Sequence, residues 1–514
     1  MTADTQPVLI GGGQFVRRDD DPQTVPSPQA LMAAAADRAL ADTGADAARL
    51  AGQIDTIAAI RTFADSAPQF ASPFGGAKNY PAAIGRRIGA TPARCLYPVL
   101  GGNTPQEMVS MLAEEIRHGR SQMALIAGGE VQRGMAHATK AGLALDWSEP
   151  DDSKPEVVGT LKMGVTAHEM THGLGAPADI YPMFETALAT HYGNEMTQHR
   201  AEIAALCARL SAVAADNPYA ALPVAREAEE ILTPSAANRL VAWPYTKFMN
   251  ANIAVDQASA VLLCSLGAAR EMGVDEDRLI YLAGSADVTE KWFLSERTSF
   301  HASPAIAAAG RAALECAGLG LDDMSCFDLY SCFPVAVEIA ADALGLAHDD
   351  PRGLTVTGGL PFFGGPGNAY SLHAIAEMVA RLRGKPGAAG MVTANGWYLT
   401  KHSVGVYTAS PPRRPWRRDS DAVLQDEIDA ADAPPFMETP GGRGRIEACT
   451  LQYTRDGSPG RGFLFGRLDA DDSRFLAVTA EDDVEMQAAL TSERPVGLAI
   501  RVGQQSGRNF ARLA

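Results

Sequence analysis

The sequence predicts an α/β fold built on a duplicated unit, with one long insertion and a small β-barrel module at the C-terminus. Three observations carry this prediction. Two pairs of similar segments recur at nearly one offset, about 270 residues apart. The strands read as continuous apolar runs alternating with helices, the pattern of sheets covered by helices on both faces. Beyond Ser410 the texture changes to strands that alternate apolar and polar residues. At 514 residues, with 46% hydrophobic and 20% charged, the chain can bury a sizeable core and span several domains.

Taken in order, the apolar run Val8-Leu-Ile10 leads to Gly11-Gly12-Gly13, a tight strand-to-loop turn. Neither GxGxxG nor a Walker lysine completes a phosphate loop there. Arg38-Ala-Leu-Ala-Asp-Thr-Gly44 reads as a helix with a glycine stop, followed by a strand within 53–60. Gly102-Asn103 opens an apolar helix over 108–116 that leads to a strand over 123–129. The same two patterns return as helix 311–318 with strand 324–330, and as Gly367-Asn368 opening helix 375–382 before strand 390–396. The first half is therefore placed at 1–267 and the second at 275–410. The first is longer because 131–250 is inserted, a region rich in His, Met and Pro with a helical stretch at 201–214. Ligands of α/β sheets bind beyond the carboxyl ends of the strands, where such insertions often lie.

Residues 411–437, rich in Pro, Arg and Asp, read as a linker. Beyond it, 438–514 holds strands at 445–453, 461–468, 475–479 and 496–502 and one short helix. That is the pattern of a small barrel of the oligonucleotide/oligosaccharide-binding (OB) type.

Charge and targeting signals narrow the function. A net charge of −17 argues against nucleic acid as a partner. The single basic run, 411–418, is followed at once by acidic residues and reads as solvated linker. No stretch approaches the roughly 20 apolar residues of a spanning helix, and Met1–Asp20 lacks a basic-then-apolar leader, so no membrane partner is expected. Seven scattered cysteines without CxxC suggest reduced thiols in the cytoplasm.

His168-Glu169-Met-Thr-His172 matches HExxH, but Gly173, Gly175 and Pro177 cut the helix short. Beyond a carboxylate such as Glu185 no third ligand suggests itself, and no metal is expected. Leu329-Tyr-Ser-Cys-Phe-Pro334 places Cys332 at a strand end just before a helix. There a thiol is either a functional group with a lowered pKa or a buried structural cysteine. The glycine-rich stretch 359–368 offers backbone amides to an anion or packs two layers tightly. The turn at 395–402 follows a further strand end, and His402 in it reads either as a base or as a satisfied loop histidine.

At these three places, and in its duplicated core, the sequence resembles the thiolase superfamily. It is closest to thiolase-like proteins related to the sterol-carrier-protein thiolases, of the type with an additional C-terminal domain. Ala127-Gly-Gly-Glu130 is similar to the family's GGxE turn, and Asn250 to Asp256 to its N-x-x-x-x-x-D segment. The resemblance implies a βαβαβαββ duplication in a five-layer αβαβα core. It implies acyl transfer between coenzyme A thioesters, with coenzyme A or acetyl-CoA as substrate, no permanently bound cofactor, and a homodimer as the candidate assembly.

The chemistry departs from the family pattern. Gly101 stands where the CxS nucleophile belongs, and Cys95 lies six residues too early. Tyr330-Ser331-Cys332-Phe333 takes the place of HDCF or NEAF, Gly364-Gly365-Pro366 that of GHP, and Asn395-Gly396-Trp397 that of CxG. Losing the nucleophile with its base removes ordinary thiolysis. The expectation is an acyl-CoA-dependent C-acyltransferase, or an enzyme cleaving β-keto compounds such as lipid or aromatic β-keto acids, by a non-standard mechanism. Cys332 would serve as nucleophile or acid/base with His402 as proton partner. Tyr330 would orient the substrate, together with Ser331 and Asn395, beside Lys401. Asn103 and the amides of Gly101, Gly102 and Gly365 would form the oxyanion hole. Arg133, Lys140 and Lys247 are the candidate coenzyme A contacts. The competing expectation is a non-catalytic acyl-CoA- or lipid-binding protein, or a structural subunit.

Overall fold

A computed structural model describes residues 3–412, 414, 416, 418 and 421–514. Arg413, Pro415, Arg417 and Asp419 of the basic-to-acidic run lie outside the described residues.

The two halves start their outer helices in the same way. Helix Pro28–Asp42 begins with Ser27 accepting from the Ala30 amide and Pro28 at its first position. Helix Pro304–Ala317 begins with Ser303 accepting from the Ile306 amide and Pro304 at its first position. A hydroxyl cap takes an otherwise orphaned amide, and proline loses nothing where no amide partner exists. Both helices stop at a left-handed glycine, Gly44 at φ +75° and Gly318 at φ +64°.

The first half contributes β1 (Pro7–Arg17), β2 (Thr56–Ala59), β3 (Arg94–Pro98), β4 (Met123–Val131) and, after the insertion begins, β5 (Glu156–Val158). The insertion adds the hairpin β6 (Leu240–Ala242) and β7 (Tyr245–Thr246), and β8 (Asp256–Ser265) closes the half. The second half supplies β9 (Ile280–Thr289), β10 (Cys326–Asp328), β11 (Ala389–Gly396) and β12 (Lys401–Thr408). All but the hairpin form one sheet in the order β10-β11-β12-β9-β1-β8-β4-β2-β3-β5. The halves meet in a two-residue register, Val8 opposite Tyr281 and Leu9 opposite Ile280. Each half has the same internal order, but the second has no counterpart of β3. There the Asp328 carboxylate accepts from the amides of Val356 (2.9 Å) and Thr357 (3.3 Å), the donors a strand would give to its neighbour.

Helices Thr104–Arg117 and Tyr370–Leu382 lie between the strands of both halves and share one buried core through Met108, Leu112, Leu372, Ile375 and Val379. Helix Pro28–Asp42 covers one outer face and helix Pro304–Ala317 the other. The result is the five-layer αβαβα arrangement. Among the described residues no helix is long and apolar enough to cross a membrane.

The C-terminal strands β13 (Gly442–Tyr453), β14 (Pro459–Leu468), β15 (Arg474–Val478), β16 (Ala499–Gln505) and β17 (Arg508–Leu513) close into a barrel in the order β13-β14-β15-β17-β16-β13. The sequence reading missed its fifth strand. The barrel is docked, not tethered. β13 pairs with β6 at Gln452 and Ala242, and Thr186 of the insertion exchanges hydrogen bonds with the Cys449 backbone at 2.9 and 3.1 Å. The buried Arg474 guanidinium pairs with Glu447 at 2.7 Å and donates to the Arg297 carbonyl. Within the stretch expected to be linker, Asp421–Ala430 is a helix whose Gln425 hydrogen-bonds the Thr289 backbone, at 2.8 Å to its amide and 3.0 Å to its carbonyl.

Candidate active site

Three turns of the core converge at the carboxyl ends of its strands: Leu100–Asn103 after β3, Tyr330–Phe333 after β10, and Asn395–Thr400 between β11 and β12. The first is filled. A Cβ on Gly101 would overlap Asn103 Oδ1 and stand 3.1 Å from Lys401 Nζ. One on Gly102 would overlap the Tyr330 hydroxyl and come within 2.6 Å of the Asn395 carbonyl. The turn is also stitched to the second half, because the Gly101 amide donates to Asn368 Oδ1 (3.0 Å) and Ser371 Oγ donates to the Gly102 carbonyl (2.8 Å). Gly101 is thus a packing glycine, and a side chain where a nucleophile would stand has to displace Asn103 and crowd Lys401.

Two of the three amides expected in the oxyanion hole are already engaged. The Gly101 amide is committed to Asn368, and the Gly365 amide donates to the Asn252 carbonyl at 2.8 Å. Asn103 uses its amide on Glu107 (3.0 Å), while its buried Oδ1 has no partner. Ser331 accepts from the Leu360 amide (3.2 Å) and braces the glycine-rich loop. Lys401 is buried, 3.4 Å from the Leu100 carbonyl; burial pulls its ammonium below the usual range against the opposing pull of Glu107 and Asp287.

Cys332 occupies a different setting. It is half-buried, with the Tyr181 hydroxyl against it and Asn395 Nδ2 at 3.9 Å from its sulfur. Burial pushes the thiol up to about 12, so it is protonated at neutral pH. The helix beginning at Pro334 was expected to lower it. Desolvation outweighs that end-of-helix dipole, whose effect is typically about 0.3–1 kcal/mol. His402 is not its proton partner. The His402 ring nitrogen Nε2 hydrogen-bonds the Leu399 carbonyl (3.1 Å), burial pulls its pKa down to about 3, and no hydrogen bond joins it to Cys332 among the described residues. It lines, with Tyr330 and Asn395, a cavity of about 10 Å³, room for one water.

The turn beside Cys332 is strained. Trp397 and Leu399 hold φ of +56° and +51°, a region bulky L-residues avoid. Two side chains absent from the sequence reading hold it there. Arg297, buried, donates to the carbonyls of Leu399 (2.8 Å) and Tyr398 (2.9 Å) and to Thr400 Oγ1 (2.8 Å). The Tyr181 hydroxyl donates to the Trp397 carbonyl (2.9 Å) and accepts from Asn395 Nδ2 (2.9 Å) and the Leu399 amide (3.2 Å); its ring stacks on Phe333 at 4.4 Å. Neither lies in a motif. The only sequence signal for Tyr181 is its place in an insertion of the kind that covers such crevices. Strain of this kind persists where the surroundings over-determine it, commonly at functional sites.

The HExxH segment is structural. HExxH forms a five-residue helix, Ala167–Thr171, in which Glu169 and Thr166 make a capping box. His172 spends one ring nitrogen on the His168 carbonyl (2.8 Å) and the other on the Asn509 amide of β17 (2.9 Å), clasping insertion to barrel. Of the expected coenzyme A contacts, Arg133 is tied to the Arg18 carbonyl (2.8 Å) and to Asp20. Lys140 and Lys247 are exposed. Glu130 accepts from the Phe63 amide (2.7 Å), and burial pushes its carboxyl up to about 7. Asp256 accepts from the Gly134 amide (2.8 Å) and pairs with Arg17.

A family profile described as the thiolase-like protein type 1 additional C-terminal domain matches residues 423–507, which includes most of the Asp421–Ala430 helix. Among solved structures, a monomeric SCP2-thiolase-like protein type 1 from Mycobacterium smegmatis aligns over 100% of both chains at 39% identity, with a TM-score of 0.85. An acetyl-CoA acetyltransferase from Syntrophomonas wolfei aligns over 79% of this chain and 99% of its own at 16% identity and TM-score 0.55. Human mitochondrial 3-ketoacyl-CoA thiolase aligns over 79% of this chain and 100% of its own at 14% identity and TM-score 0.55. These last two share the fold of the core. A search of curated proteins finds no significant match.

Proposed function

The chain belongs to the SCP2-thiolase-like proteins of type 1, and from that premise we propose that it binds an acyl-CoA or β-keto compound and acts on it by general acid/base catalysis at Cys332, without a covalent thioester. The observation that carries this reading is the contrast between the two turns: the nucleophile's place at Gly101 is filled, while Cys332 keeps a protonated, half-buried thiol beside a strained turn. A thiol near 12 is a poor nucleophile at neutral pH; it keeps its proton there and offers it as a hydrogen bond to a developing enolate or thioester oxygen, with transfer only to a strongly basic centre. Asn395 and Tyr181 fix the thiol's direction, and Tyr330 with the unpartnered Asn395 Oδ1 supports substrate orientation. The reaction class is C-acyl transfer or cleavage of a β-keto compound, with coenzyme A as a substrate portion.

The test is product analysis by mass spectrometry with acetyl-CoA and a panel of β-keto acids and β-ketoacyl-CoAs. Cys332→Ala is expected to lower kcat by about 10²–10⁴-fold, and intact-protein mass spectra are expected to show no acyl adduct at any stage. An acyl group on Cys332, or full activity in Cys332→Ala, sinks the proposal. A second reading, a binding protein without turnover, is favoured by the glycine that stands in the nucleophile's place with Asn103 and Lys401 packed against it. Stabilisation by coenzyme A esters with no product would select it.

The assembly we propose is a monomer, as the M. smegmatis relative is described, in place of the homodimer suggested by the thiolase resemblance. The sheet edge beyond β3 supports this, being capped by the three-residue β5. Light scattering showing a concentration-independent dimer would overturn it.

A further inference from the structure

Behind the Cys332 turn, three ionisable side chains from three helices meet in the interior. Glu185 comes from helix Pro177–Tyr192, His199 from helix Met196–Asp216, and Glu338 from helix Pro334–Leu344, which begins two residues after Cys332. Each offers one donor atom, and these atoms lie within 4.8 Å of one another. Exposure is 0% for Glu185 and His199 and 2% for Glu338. His199 Nε2 stands 2.5 Å from Glu185 Oε1, and the Tyr245 hydroxyl donates to Glu185 Oε2. Glu338 Oε2 and His199 Nδ1 have no hydrogen-bonding partner.

Two facing carboxylates in a dry interior do not both stay ionised unless a cation joins them. Among the described residues, neither Glu185 nor Glu338 is within ion-pair distance of a lysine or arginine; their only basic neighbours at that range are His199 and His348. One imidazole and two carboxylates form a donor set that suits divalent ions of the first transition row. The Glu202 carboxylate, 3.9 Å from His199 Nδ1, stands where a metal-bound histidine commonly donates its second N–H.

We propose that Glu185, His199 and Glu338 bind one divalent first-row ion, zinc or manganese, with Glu202 as the outer acceptor for His199. The ion clamps both insertion helices to the helix that follows Cys332. It is formed by residues outside the HExxH segment, where His172 spends both ring nitrogens on backbone groups. The inference does not depend on the acyl chemistry.

The experiment uses the full chain, incubated with zinc or manganese, desalted, and assayed by plasma mass spectrometry and thermal unfolding with and without chelator. About one ion per chain and a higher Tm, reversed by chelator, are expected. Glu338→Gln and His199→Gln are expected to lose the ion on desalting. Less than a tenth of an ion per wild-type chain with no Tm shift overturns the proposal, as does an ion retained in both variants. If the variants fail to fold, the cobalt-loaded wild type decides. A visible d–d band without thiolate charge transfer supports an imidazole–carboxylate site. A thiolate band, or no band, overturns it.

Discussion

The turns at Gly101 and Cys332 end strands in the two halves of one duplicated core, yet they are opposites in packing. Beside Gly101, Asn103 and Lys401 occupy the room a side chain would take, and the backbone is bonded to the other half. Around Cys332 a thiol remains partly open beside backbone held in sparsely populated conformations. A core of this kind can lose a reactive group in one half by filling its place while keeping a different one across the pseudo-symmetric crevice. Packing, besides the absence of a cysteine, opposes the return of a side chain at Gly101 by a single substitution.

The comparison breaks most severely at Arg297. Its guanidinium spends three hydrogen bonds on the strained turn and has no exposed alternative. Arg297→Leu leaves buried carbonyls unpaired, at about 1–3 kcal/mol for each acceptor not rescued by water. We expect a total loss of about 3–5 kcal/mol in denaturant unfolding, with turnover falling further than stability at temperatures where the variant stays folded. Unchanged stability would mean that the turn holds itself and that its strain is unrelated to the clamp.

Gly101→Cys restores the family's residue at the filled turn. Its side chain must displace Asn103 and crowd Lys401, and overpacking of this sort costs about 1–3 kcal/mol. No thiolysis is expected, because Gly365 supplies no histidine to activate the new thiol. Covalent acylation of the introduced cysteine would show that the turn is roomier than its contacts indicate.

Much of this arrangement was readable from the chain. Serine–proline starts and glycine stops repeat in the two outer helices, and local capping physics makes such repeats visible without tertiary information. The missing strand of the second half was not readable. Residues 354–357 are apolar or β-branched, and only the fold brings Asp328 to their amides. The Cys332 and Asn395 turns were found because they end strands. Tyr181 and Arg297 were missed because they reach the site from segments about 215 and 100 residues away in sequence, with no motif around either. The Glu185–His199–Glu338 cluster was illegible for the same reason, though HExxH, which was legible, holds two segments together instead.

At neutral pH the smallest effect concerns His402, and it removes the last route by which Cys332 could be a base-activated nucleophile. With His402 near 3 and Cys332 near 12, neither group titrates between about pH 5 and 10, so kcat is expected to be flat there for a substrate that does not itself ionise. Stability carries the complementary signature. A histidine whose folded pKa lies below its unfolded value of about 6.5 binds fewer protons when folded. Its contribution is therefore present above pH 6.5 and is lost as pH falls toward 3, by at most about 1.4 kcal/mol per pH unit. His373, also pulled down to about 3, adds a similar limb. Glu130, raised to about 7, and Asp328, raised to about 6, oppose both, since each costs stability as pH rises from its unfolded value. The difference between wild type and His402→Gln isolates one limb, because the other three groups are common to both. That difference should change between pH 6.5 and 3 and vanish in slope above it. A difference that instead changes across pH 7–9 would place a charged imidazole in the folded protein. It would return His402 to Cys332 as its proton partner.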